Sequence, residues 1–349
     1  MRGQPHINLE QMHWNIIMLL SRTADHLYWH ARYIERAENT ARMLGVNYET
    51  LLMPHEAHKE RNLWRATLEL SELEPQFIEL YGEINTFNVL QFMIIDMRNP
   101  SSIQSCLWAA RENARAVRGS LTSEMYETVN SVWLESREWV SSNRALNHAP
   151  DYLEWVKMRS HLILGVAFGT MLKDETFNFL RMGTFIERAD NTARLLDLKF
   201  FEHFEISHAK EKDTEQTQGE NDSKDFYHWA ALLRSVSGFE VYRQTYHDVI
   251  TPERVAELLI FRKEMPRSLA ACMNDLRKNI QYVRNDYSAK TERLVGRMHA
   301  DLQYGQIQEV LQGGIHAYLT EFLEKTFELG QQISQDFLVP LNPAHVKVA

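Results

Sequence analysis

The sequence predicts an all-α helical bundle of two homologous, pseudo-two-fold-related halves, and three observations carry that prediction. The first is compositional. The 349-residue chain is 44% apolar yet has only 14 Gly and 9 Pro, which leaves long uninterrupted runs of good helix formers. The second is a repeat. Tyr33–Leu44 reads Tyr-Ile-Glu-Arg-Ala-Glu-Asn-Thr-Ala-Arg-Met-Leu, and Phe185–Leu196 reads Phe-Ile-Glu-Arg-Ala-Asp-Asn-Thr-Ala-Arg-Leu-Leu. Nine of these twelve positions are identical at an offset of 152 residues. The third is that more of the chain recurs in the same order. Trp64, Leu68 and Thr86 meet Trp229, Leu233 and Thr251 at offset 165. At offset 166, Pro100, Ser102, Cys106, Arg111 and Asn113 meet Pro266, Ser268, Cys272, Arg277 and Asn279. The halves are accordingly expected at 19–172 and 173–340, after an N-terminal extension at 1–18 and before a tail at 341–349.

The elements follow in order. Ser21 is a plausible N-cap for a long helix from Arg22 to Met53, closed by Pro54. Helical patterns then cover Arg61–Leu80 and Phe87–Asp96. Asn99-Pro100 is expected to cap and open the next helix, with Pro100 at a first-turn position where its missing N–H costs nothing. Leu121–Ser142 and Asp151–Met171 complete the first half. Asp174 starts the counterpart of the opening helix, which runs to about Phe204. Ser207–Lys224 is polar throughout except for Ala209, and it spans the step from offset 152 to 165; it is expected to be a mobile loop. Phe226–Tyr246, Pro252–Arg262 with Thr251 as cap, Pro266–Asp286, Lys290–Gly313 and Ile315–Phe337 follow.

Composition narrows the function classes. With 38 Lys and Arg against 47 Asp and Glu, the net charge of −9 argues against nucleic acid as a partner. The longest N-terminal apolar run is Ile16–Leu20, far from the eighteen or so residues a membrane span needs. No signal-peptide pattern is present. Two cysteines make neither a disulfide framework nor a zinc site alone. The expectation is a soluble cytoplasmic protein.

The candidate site is the polar face of the repeat. At 100° per residue, Glu35, Glu38, Asn39 and Arg42 share a face with Arg32 and Arg36 at its edge; the second copy presents Glu187, Arg188, Asp190, Asn191 and Arg194. A solvated face carrying i,i+4 pairs explains amphipathicity, at about 0.2–0.5 kcal/mol per pair. It does not require the same Glu, Arg and Asn in both copies. Two explanations remain open. The faces meet across an internal pseudo-two-fold, where bidentate Arg–carboxylate geometry fixes identity, or they line a cleft that handles a polar ligand. Asn113 and Asn279 sit on apolar stripes as structural polar groups in need of a partner. Cys106 and Cys272 read as small core residues. His26 with His30, His55 with His58, and Glu205 with His208 have metal-compatible spacing, but the duplicate matches none of them, so neither metal nor cofactor is expected.

The run Leu20-Ser-Arg-Thr-Ala-Asp25, Leu27-Tyr-Trp29 and Arg32–Arg42 resembles the opening of the bacterial alpha-E family, as do Asn99–Ile103 and Ala110–Arg118. The similarity extends from Met18 to about Phe337. It departs at His26 and His30, where the family usually has a polar amide and an aliphatic residue. Family members tend to begin at the position of Met18, which leaves the native start at either Met1 or Met18. The resemblance implies an all-helical fold, a Glu-Arg signature at Glu35-Arg36 and Glu187-Arg188, and a setting beside an ATP-grasp-type ligase and a transglutaminase-like protein in peptide synthesis or modification. The expected function is therefore an accessory or substrate-presenting protein of such a ligase. The alternatives are a peptide- or amide-processing enzyme with Glu35 and Glu187 as acid/base groups, and a purely structural scaffold. Catalytic carboxylates would line a cleft with a raised pKa; structural ones would be fully paired with Arg.

Overall fold

The computed structural model describes residues 9–52, 57–210 and 218–338, with side chains at 21–52, 60–202 and 226–338. Sixteen α-helices and no strand occur among the described residues. They are α1 (Leu9–Leu51), α2 (Ala57–Leu70), α3 (Glu74–Tyr81), α4 (Thr86–Ile94), α5 (Ile103–Ala116), α6 (Ser123–Ser141), α7 (Arg144–Asn147), α8 (Ala149–Thr170), α9 (Glu175–Lys210), α10 (Gln218–Ser235), α11 (Phe239–Tyr246), α12 (Pro252–Phe261), α13 (Leu269–Tyr282), α14 (Ala289–Tyr304), α15 (Ile307–Gly313) and α16 (Ile315–Ile333). A short π-helical turn, Ser334–Leu338, ends the described chain.

The two longest helices, α1 and α9, pack against each other at the centre. Helices α5 and α8 cover α1, while α13 and α16 cover α9; α6 closes the first group and α14 the second. Ala24, Leu27, Tyr28, Ala31, Ile34, Ala41 and Leu44 form the buried apolar stripe of α1. Trp64 and Trp229 are both fully buried, as are Phe77 and Tyr242, at the same offset of 165. Trp64 satisfies its indole N–H on Thr86 Oγ1 at 2.8 Å.

Several helix starts are set by hydroxyl or amide caps that accept an otherwise orphaned N–H. Thr122 accepts from Met125 N, Thr251 from Arg254 N, and Ser102 and Ser268 cap α5 and α13 equivalently. Asn99 is not the cap that its Asn-Pro context suggests. Its side chain instead turns back to donate to Phe92 O, and the amide of Ser101 donates to its Oδ1. Ser21 is not a cap either. Helix α1 already begins at Leu9, because the stretch from Leu9 to Ser21 contains no Gly or Pro to interrupt propagation. Most of the expected N-terminal extension is thus the first turns of α1.

Three predicted helices are broken in two. Glu72 separates α2 from α3 with φ 57°, and Ser237 separates α10 from α11 with φ 52°. A non-glycine residue in the left-handed region leaves little trace in a sequence. Gly305 interrupts the third, between α14 and α15. Helices α9 and α10 also extend into the stretch expected to be a polar loop, to Lys210 and from Gln218; residues 211–217 lie outside the described ones.

The central crossing depends on Gly183. A Cβ placed there would lie 2.1 Å from the carbonyl oxygen of Tyr28 and 3.2 Å from Ala31 Cβ. No flexible side chain can yield at that point, because the nearest atom is backbone. Gly183→Ala is therefore expected to force α1 and α9 apart at a cost on the order of 2–3 kcal/mol, read as a lower urea midpoint. An unchanged midpoint would refute the close crossing.

Candidate functional site

The polar face of the repeat is not solvated. Glu35, Glu38, Asn39 and Arg42 on α1 are each buried, as are Glu187 and Arg188 on α9. Between Leu27 and Leu44, α1 is therefore enclosed on nearly all sides, and each charge on it must be paired inside the protein.

The pairing is reciprocal. Arg188 donates to Glu35 through Nε to Oε1 (2.9 Å) and Nη2 to Oε2 (2.8 Å). In return Arg36 donates to Glu187 through Nε to Oε1 (2.6 Å) and Nη2 to Oε2 (3.2 Å). Each helix thus offers a carboxylate and, one residue later, a guanidinium, and the other helix offers the same two in reverse. Within each helix the i,i+4 pairs also form. Arg42 Nε meets Glu38 Oε1 at 2.9 Å, and Arg194 Nε meets Asp190 Oδ2 at 2.9 Å. Arg42 reaches on to Ser237 Oγ and His161 Nε2, while Arg194 reaches Glu72. Glu72 and Ser237 are the two left-handed residues of the helix breaks, so each break hands one partner to an arginine of the repeat.

Two arginines outside the recognised motif complete the networks. Arg267, in the turn before α13, donates through Nη1 to Glu35 Oε1 (2.8 Å) and Asn39 Oδ1 (2.8 Å), and through Nη2 to Glu38 Oε1. Arg32, one turn before Arg36, donates to Glu187 Oε2 at 2.8 Å. Arg267 was not visible as a site residue, and Arg32 was read only at the edge of the polar face, because at the two offsets Arg267 aligns with Ser101 and Arg32 with Thr184.

The electrostatics follow from this pairing. Burial alone would raise the pKa of Glu35, but Arg188 and Arg267 overcome it and hold the carboxyl at about 2. Burial likewise opposes ionisation of Glu187, and Arg32 and Arg36 bring it below its ordinary value. Asp190 differs. Its desolvation outweighs the attraction of Arg194, and the neighbouring Glu187 adds repulsion, so its pKa is raised. Its side chain nonetheless keeps 33% of its surface exposed, because it lines a cavity of about 230 Å³ together with Glu187, Asn191, Arg194, Arg36, Asn39 and Ser101.

Residues 19–338 match the model of the Alpha-E family, described as a predicted alpha-helical domain with a conserved ER motif. The chain belongs to the Alpha-E family. It is similar to uncharacterized proteins of Mycobacterium bovis and Mycobacterium tuberculosis, in each case 23% identical over 331 residues, covering 86% of this chain and 35% of the relative. The chain therefore spans about a third of the length of the curated relatives it matches. No solved structure matches it.

The remaining candidates in this Alpha-E chain have structural surroundings. Asn113 is half-buried rather than buried, since it donates to Ala109 O and its Oδ1 meets His26 Nδ1 at 2.8 Å. Asn279 is buried and donates to Asp275 O. His30 bonds Ala110 O through Nδ1 at 2.8 Å, so both histidines of the i,i+4 pair fasten α1 to α5. The His55, His58, Glu205 and His208 side chains lie outside the described ones. Among the described residues no cluster of three metal-ligating groups occurs, and no helix is long and apolar enough to cross a membrane. Burial pushes the Cys106 and Cys272 thiols up to about 12, which suits core residues and not nucleophiles.

Two predictions concern the buried carboxylates. Glu35→Ala strands the guanidinium of Arg188 and removes one acceptor of Arg267, so it should cost on the order of 3–5 kcal/mol in urea unfolding. Glu321→Ala, at an exposed pair with Lys325, should leave the midpoint unchanged. Equal effects would place Glu35 among surface charges. The second prediction concerns acid. A carboxyl whose folded pKa lies below its unfolded value stabilises the fold fully above the unfolded value and loses that contribution as pH falls through the folded one. For Glu35 the window runs from 4.5 down to about 2. Unfolding midpoints across that window should fall steeply in the wild type and less steeply in Glu35→Gln. Identical slopes would contradict the assignment.

Proposed function

We propose that this Alpha-E protein is a non-catalytic accessory of an ATP-grasp-type amide ligase, holding or presenting a peptide or amino-acid substrate, with a transglutaminase-like protein as a further partner. We also propose that it consists of two homologous halves related by a pseudo-two-fold axis between α1 and α9. The reciprocal Glu35–Arg188 and Glu187–Arg36 pairs support the axis, because a two-fold contact brings i to j and j to i. The equivalent helix breaks at Glu72 and Ser237 support it independently.

One observation carries the non-catalytic part. Glu35 and Glu187, the two carboxylates with the strongest sequence case for acid/base work, are each held by two arginines and lie below the ordinary carboxylate range. A general acid or base near neutral pH needs a carboxyl shifted the other way and within reach of a reacting atom. The ligase setting comes from the family resemblance.

The test is a reconstitution. An ATP-grasp-type ligase from the same genome is assayed for amide formation and phosphate release with and without the full chain, and the chain is assayed alone for amide hydrolysis. At least a tenfold gain in amide formation with the chain present, and no turnover by the chain alone, is the expected result. Turnover by the chain alone, lost in Glu35→Gln at unchanged secondary structure, would overturn the proposal in favour of the enzyme alternative.

A further inference from the structure

The two networks differ at one matched position. Arg267 stands two residues before α13 and places its guanidinium among Glu35 Oε1, Asn39 Oδ1 and Glu38 Oε1. At offset 166 its counterpart is Ser101, two residues before α5. The counterparts of its three acceptors, at offset 152, are Glu187, Asn191 and Asp190. All three, with Ser101, line the cavity of about 230 Å³. The set of acceptors is thus present twice. In the first network Arg267 bridges all three, whereas in the second the third arginine, Arg32, reaches only Glu187.

We propose that this cavity binds the guanidinium group of a small arginine-type ligand, seated against Glu187, Asp190 and Asn191 as Arg267 is seated against Glu35, Glu38 and Asn39. The three arginines already present do not prevent this. Arg36 and Arg194 hold Glu187 and Asp190 as Arg188 and Arg42 hold Glu35 and Glu38, and in the first network Arg267 joins them on the same oxygens. Arg32 occupies Glu187 Oε2. The oxygen equivalent to the one Arg267 uses is Oε1, which receives Arg36 Nε. A planar fork of donors suits two carboxylates and an amide oxygen better than a point charge does.

Asn39 points independently to a ligand. Arg267 has only donors, so the hydrogen bond it gives fixes the Asn39 amide with its oxygen toward Arg267. The Nδ2 is left buried without a hydrogen-bond partner among the described residues, and Asn39 lines this cavity. A small turn of the Asn39 side chain would bring this unpaired donor to an acceptor on the bound molecule, such as the carbonyl or carboxylate of an amino acid. Beside the polar lining, which also includes Thr40, Ser71 and Glu72, Met43, Leu70 and Met93 form a wall suited to an alkyl stem. The volume equals roughly eight waters at about 30 Å³ each, which fits an amino acid and not a long peptide. The raised pKa of Asp190 agrees with a carboxylate that lacks its full complement of cations.

The inference uses the proposed correspondence of the halves and is independent of the ligase. Isothermal titration of the full chain with L-arginine and agmatine tests it, with L-citrulline as the uncharged isostere and L-lysine as the point-charge control. The expected result is saturable binding of arginine or agmatine, at least tenfold weaker in Asp190→Asn and abolished in Ser101→Arg, with neither citrulline nor lysine competing. Ser101→Arg should also raise the melting temperature, because it supplies in the second network the group that Arg267 supplies in the first. If Ser101→Arg does not fold, Asp190→Asn decides alone. No heat with either guanidinium ligand, equal binding of citrulline or lysine, or binding unaffected by the substitutions would overturn the proposal. A ligase indifferent to the chain would count against the accessory role alone.

Discussion

Two carboxylates and their arginines buried between the central helices set the terms for the rest of the molecule. An ion moved from water into a protein interior costs several kcal/mol even after relaxation. Glu35 and Glu187 are ionised there only because each receives two guanidiniums with close geometry. The bidentate pairs fix more than charge. They bind α9 residues 187 and 188 to α1 residues 36 and 35, so sliding either helix by one residue would separate both pairs at once. A single motif therefore fixes the distance, direction and register of the central helix pair.

The surrounding helices follow from the need to keep that centre dry. Helices α5 and α8 on one side and α13 and α16 on the other enclose α1 and α9. Burial strengthens each ion pair and also makes any unpaired group expensive. The crossing is close enough that Gly183 packs directly on the backbone of α1. Remote turns are drawn in as well. The left-handed residues that end α2 and α10 place Glu72 and Ser237 within reach of Arg194 and Arg42, so their departure from ordinary backbone geometry serves the centre.

The fold was legible where local chemistry decides structure. Asp174 and Thr251 start their helices as read, because a capping side chain acts on its own next turn. The break at Glu72 was not legible, since a glutamate carries no turn signal of its own, and at Ser237 the Ser-Gly pair was a turn signal that the helical pattern on either side overrode. The Asn-Pro pair at Asn99 misled for another reason: the side chain has a partner in α4 that sequence order does not reveal. In the site, the repeated Glu, Arg and Asn residues were found because they recur. Arg267 was missed and Arg32 left at the edge of the face because they do not, and a comparison that looks for sameness cannot register a group present in one copy only. The identical polar faces left a pseudo-two-fold contact and a ligand cleft as competing explanations. In the structure the same face supplies both the buried cross-helix pairs and the wall of a cavity.

That coexistence bears on what kind of site this can be. Carboxylates tied into two guanidiniums are poor proton carriers, but they are rigid and already desolvated, which are the properties that favour selective binding of a complementary cation. The first network shows the chemistry completed within the chain, by Arg267. The second has the same acceptors around a cavity, with a serine at the matching position and an aspartate whose charged form is disfavoured. Stability and recognition then draw on one arrangement. The reciprocal pairs hold the acceptors in place, so that a ligand entering the second network meets groups whose ordering and desolvation have largely been met by folding.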